Sequence, residues 1–74
     1  MNYQLNNISD ARVLRALFLE HKDCLEFDVK CGNRTIDGFS VLGLISMVGN
    51  TVQVTAIGED QNKIQKFYNQ LEVL

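Results

Sequence analysis

Few residues in this sequence have side chains suited to chemistry at neutral pH. There are two cysteines, Cys24 and Cys31, and one histidine, His21. The cysteines stand seven positions apart with a strand-like segment between them. An extended segment rises about 3.3 Å per residue, so they lie roughly 23 Å apart, far beyond the ~7 Å between Cα atoms that a disulfide tolerates. Both are expected to be reduced thiols in a reducing compartment, serving as small apolar fillers. A zinc site needs more ligands than two cysteines and one histidine provide. No metal and no cofactor is expected. The remaining candidates sit at turn-like positions. Asn6, Asn7 and Ser9 are turn and helix-capping types, and Asp10 adds a carboxylate where a helix dipole favours one. Ser40 stands before an apolar run, as an N-cap would.

These residues are positioned by elements legible from periodicity. Tyr3-Gln4-Leu5 is a short extended start. Ala11, Leu14, Leu17, Phe18 and His21 recur at spacings of three and four, one face of an amphipathic helix over about Asp10 to His21. Arg12, Arg15, Leu19, Glu20 and Lys22 fall mostly on its other side. From Leu25 to Cys31 apolar and charged residues alternate, which predicts a strand with one wet face. Gly32-Asn33 is a pair able to take the positive φ angles of a two-residue hairpin turn, and Arg34 to Asp37 returns with Ile36 inward. Val41 to Met47 is apolar at nearly every position and is read as a short helix capped by Ser40. Gly49-Asn50 is a second turn, and Thr51 to Ile57 alternates as a β-rich strand. Asp60 can cap a last helix with Ile64, Phe67, Leu71 and Leu74 on one face. The order βαββαβα, with polar residues at alternate strand positions, predicts a two-layer α+β sandwich with helices on one sheet face.

Length and charge narrow the function classes. The 74 residues allow one domain, 1–74, and a chain this short buries only about 60% of its unfolded surface. Hydrophobic residues make up 46% and there is no proline, which argues against disorder. The longest nearly uncharged stretch, Gly38 to Ile57, is broken by Gly43, Gly49, Asn50 and Gln53, so no membrane span is expected. The N-terminus has no charged-then-apolar signal region, and a cytoplasmic location is the expectation. The seven bases are scattered against nine acids, with none of the clustered footprint of a nucleic-acid binder.

The segment Gly38-Phe39-Ser40-Val41-Leu42-Gly43-Leu44-Ile45-Ser46-Met47 resembles the regulatory-serine helix of the histidine-containing phosphocarrier (HPr) family of the bacterial phosphotransferase system. In Gram-positive members that helix reads close to K-S-I-M-G-V-M-S-L. Ser40, Gly43 and Ser46 match in place, and Val41, Leu42, Leu44, Ile45 and Met47 are conservative replacements. The stretch Thr51 to Asp60 is similar to the family's fourth strand and its G-E-D entry into the last helix. The resemblance covers the element order of the whole chain. It implies an open-faced sandwich whose four-stranded antiparallel sheet has the order 1-4-2-3, with three helices on one face. It also implies that Ser40 is a regulatory phosphorylation candidate, that Arg12 matches the family's active-site arginine, and that Leu42, Ile45, Arg12 and Met47 contribute to a partner-docking patch. Within that helix, Val41 and Leu44 are expected to face the core.

One departure changes the expected function. The family's phosphoacceptor is a histidine at the start of the first helix, in a G-[IL]-H-x-R-P context. Here the stretch is Asn7-Ile8-Ser9-Asp10-Ala11-Arg12-Val13. Matching Ile8 puts Ser9 at the acceptor position. Matching Arg12 and the helix face puts Asp10 there, the preferred register, because the other turns Glu20 toward the core. Phosphoryl relay needs a neutral imidazole nitrogen as nucleophile, and neither register supplies one. Phe39 stands where a lysine usually precedes the serine, and the loop before the fourth strand is roughly three residues shorter than usual. The expectation is a non-enzymatic regulatory or adaptor module that binds phosphotransferase-system or carbon-regulation proteins through the Ser40 helix. The family's catabolite-repression paralogue, which also lacks the histidine, is a precedent. The alternatives are a working phosphocarrier with an acceptor at Asp10 or Ser9, and a domain that keeps only the fold.

Overall fold

Alternation of apolar and polar side chains sets the strands, and three-four spacing sets the helices. In the computed structural model, which describes all 74 residues, the elements are β1 (Asn2–Leu5), α1 (Ile8–Glu20), β2 (Glu26–Cys31), β3 (Arg34–Asp37), α2 (Val41–Ser46), β4 (Asn50–Ile57) and α3 (Gln61–Glu72). The sheet order is β1-β4-β2-β3, antiparallel throughout. Phe27, Val29, Val52, Val54 and Ala56 point from the sheet into the core, while Glu26, Asp28, Lys30, Thr51, Gln53 and Thr55 stay exposed. The helices cover the first face only. The architecture is the two-layer α+β sandwich that the patterning and the resemblance predict.

Three aromatic rings join the layers. Phe27 of β2 lies 4.5 Å from Phe18 of α1 and 4.6 Å from Phe67 of α3, centroid to centroid. The chain must pass close to them. Gly38 is buried, and a Cβ there would stand 2.8 Å from Phe27 Cβ and 2.9 Å from the Phe18 ring. Only glycine fits that approach without a shift. No polar or charged side chain is buried. Polar groups able to react or bind are therefore at the surface.

Backbone satisfaction explains one less obvious contact. The Val54 N–H donates to Met1 O at 2.8 Å, on the β1 side of β4. Two residues on, the Ala56 N–H faces the same way, beyond the end of β1. It donates instead to the Tyr68 hydroxyl of α3 at 3.0 Å. A sheet group left short of a strand partner thus finds one in a helix side chain.

Three local expectations need correcting. Helix α1 starts at Ile8 rather than Asp10, because Asn7 takes the cap. Leu25 precedes the strand, its N–H donating to His21 O at 2.9 Å in the turn that closes α1. At the hairpin only Gly32 has positive φ, +60°, while Asn33 does not. A glycine at the first central position followed by an ordinary residue fits a type II′ connection.

Candidate functional site

The first turn of α1 holds both residues that could stand at the acceptor position. Asn7, with extended backbone (φ −156°), accepts from the Asp10 N–H through Oδ1 at 2.9 Å. Asp10 reaches back and accepts from the Asn6 N–H through Oδ2 at 2.9 Å. This reciprocal pairing resembles a capping box and satisfies donors that the helix itself leaves orphaned. Asp10 is thus engaged in starting the helix. Its charge also reaches Tyr3, whose phenol is pushed above its ordinary value of 10.0 by burial first and by Asp10 second. Ser9 is exposed in the same turn. Asn7→Ala should lower stability by about 1 kcal/mol in urea unfolding, the usual worth of such a cap.

Helix α2 is the second part of the site. Ser40 is its N-cap, and the Ser40 hydroxyl accepts from the Gly43 N–H at 3.2 Å. Ser46 donates to Gly43 O at 2.6 Å and accepts from Arg34 Nη2 at 2.8 Å, which fixes the far end of the helix to β3. Leu44 is fully buried, whereas Leu42 is 77% exposed and Ile45 is half-buried. Two residues differ from expectation. Met47, expected in the docking patch, is buried in the core. Val41, expected to face the core, is 40% exposed. The reason is helical drift. Steps of three residues turn the helix about 60° short of a full circle, so Leu44 and Met47 share the core side while Val41 lies on its rim. The exposed apolar residues of α2 are therefore Leu42 and Val41, with Ile45 beside them.

The two parts meet through a residue that periodicity placed on the solvent side. Arg15 donates from Nε to Phe39 O at 3.0 Å, tying α1 to the residue just before the α2 cap. The signal was available in the helix register: Arg15 lies four residues after Ala11 and three before Phe18, both buried, so it borders the apolar stripe. Arg12 is exposed and does not form this tie.

The remaining reactive side chains lie elsewhere. Cys24 and Cys31 are free thiols. Cys24 is exposed rather than an apolar filler, and Lys63 Nζ lies 3.1 Å from its Sγ. That hydrogen bond, then the charge of Cys24, raises the pKa of the Lys63 ammonium. His21 Nε2 is 2.6 Å from Gln70 Oε1, and the ring stands edge-on to Phe67, so the imidazole joins α1 to α3, away from the start of α1. No three His, Cys, Asp or Glu side chains converge as metal ligands would. No helix is long and apolar enough to cross a membrane. Comparison with family models, with curated proteins and with solved structures found no match.

Proposed function

We propose that the chain is a non-enzymatic regulatory or adaptor module of the histidine-containing phosphocarrier kind, which docks a protein of the phosphotransferase or carbon-regulation systems through the α2 surface. The observation that carries this reading is Leu42, a large aliphatic side chain 77% exposed beside the Ser40 cap, while Leu44, two residues on, is wholly buried. Exposed aliphatic groups next to polar ones are what a docking patch requires. The sheet order implied by the resemblance is also the order found. Arg12 and Ser40, both exposed, provide polar groups on the two helices.

The first turn of α1 favours this reading over a working carrier. A relay needs an imidazole nitrogen that accepts a phosphoryl group and gives it up again. Ser9 would form a stable ester, and the Asp10 carboxylate is held by the Asn6 amide. The test is intact mass after two separate incubations. Phosphoenolpyruvate with enzyme I should leave the mass unchanged. A gain of one phosphoryl group in that reaction would favour the carrier alternative. ATP with the serine kinase of the system should add one phosphoryl group, removed by Ser40→Ala. Such a group would put charge on the edge of the α2 surface.

A further inference from the structure

Arg15 is placed where its own surroundings in the chain supply no carboxylate. The side chain is half-buried, and its Nε donates to Phe39 O at 3.0 Å. That bond leaves the Nη1 and Nη2 N–H groups of the guanidinium for another acceptor. The residues three and four positions away on α1 are Ala11, Arg12, Phe18 and Leu19, none of them acidic. Helix α2 contains no acid either. Asp37, at the end of β3, accepts from the Phe39 N–H through Oδ1 at 2.9 Å. The Phe39 carbonyl that holds Arg15 lies in the same planar peptide unit as the Ser40 nitrogen, so the guanidinium is anchored beside Ser40. Ser40 is exposed, and its hydroxyl accepts from the Gly43 N–H at 3.2 Å.

We infer that Arg15 is the receptor for a phosphoryl group on Ser40, so that phosphorylation closes a contact between α1 and α2 as well as placing charge on the docking surface. This rests on the reading of Ser40 as a phosphorylation site, and adds to it the residue that holds the product. In the transfer, Ser40 Oγ bonds to the γ-phosphorus of ATP, the bond from that phosphorus to ADP breaks, and the hydroxyl proton passes to solvent. The phosphoserine is close to a dianion at neutral pH and offers strong acceptor oxygens. A guanidinium meets such a group with two parallel N–H donors, which an ammonium cannot do. The Gly43 N–H, already directed at Ser40 Oγ, adds a further donor. Arg12 is exposed and lacks the tie to Phe39, so it stays available to a docking partner. The two arginines of α1 thus divide the work: Arg15 holds the modification and Arg12 faces the partner.

The full chain with phosphoserine in place of Ser40, assembled by chemical ligation at Cys31, tests this contact without a kinase or a docking partner. Its outcome is therefore separate from that of the docking proposal and from whether a kinase acts on Ser40. Phosphorylation should raise the midpoint of thermal unfolding of the wild type by about 4 °C or more. Arg15→Met should lose most of that gain, Arg15→Lys should keep part of it, and Arg12→Met should keep nearly all. Each gain is read against the unphosphorylated form of the same variant, so the loss of the Phe39 tie in Arg15→Met cancels from the comparison. Followed by phosphorus NMR, the phosphate should titrate at lower pH in the wild type than in Arg15→Met, because the guanidinium favours the dianion. A wild type that gains nothing on phosphorylation overturns the inference. So does an Arg15→Met chain that keeps the full gain or titrates with the wild type, or an Arg12→Met chain that loses both.

Discussion

Phe27→Ala is expected to cost the fold about 3–5 kcal/mol in urea unfolding. At roughly 0.05–0.15 kcal/mol per residue a chain of this length has about 4–11 kcal/mol in total, so this change should leave a marginal or unfolded protein. The ring is the hub of the core: it stacks on Phe18, packs against Phe67, and stands edge-on to Phe39 at 5.9 Å. Removing it opens a cavity lined by two helices and the sheet, and the residue at Gly38 has no side chain with which to fill it. A loss of less than about 1 kcal/mol would mean that the neighbouring rings collapse into the space, and that the three-ring contact does not hold the layers together.

The second large effect separates core from surface on one short helix. Leu44→Ala should cost about 2–5 kcal/mol, because the side chain is fully buried. Leu42→Ala should change stability by no more than about 0.5 kcal/mol, because most of that side chain is already in water. Ile45→Ala should fall between them. Thermal unfolding of the three variants measures this directly. Equal losses for Leu42→Ala and Leu44→Ala would place Leu42 in the core and remove the basis of the docking surface. Val41 and Met47 fit the same scheme, with Met47→Ala behaving like a core change and Val41→Ala costing less.

How far these roles were legible depended on how local their cause was. Alternation through Phe27, Val29 and Cys31 set the inward face of β2, because strand period and burial agree there. The start of α1 was misplaced by two residues because Asn7, Ser9 and Asp10 are all competent caps, and which one wins depends on the reach-back to Asn6. The α2 helix was legible as an element, but a run apolar at nearly every position has no face of its own. Only the sheet beneath decided that Met47 goes in and Val41 comes to the rim. Contacts across long separations left no mark in the sequence. His21 and Gln70 are 49 positions apart, and Cys24 and Lys63 are 39 apart. Arg15 is intermediate, since its place at the edge of the α1 stripe was visible but its partner, the Phe39 carbonyl, was not.

The proposed docking role is tested most directly by titrating isotope-labelled protein with enzyme I and following the amide resonances. The expected result is a set of shifts confined to the start of α1 and to α2, centred on Arg12, Leu42 and Ile45, with binding weakened in Leu42→Ala and Ile45→Ala while both variants stay folded. Shifts confined to the wet sheet face around Asp28, Lys30 and Gln53, or no response of the α2 amides at saturating enzyme I, would contradict it.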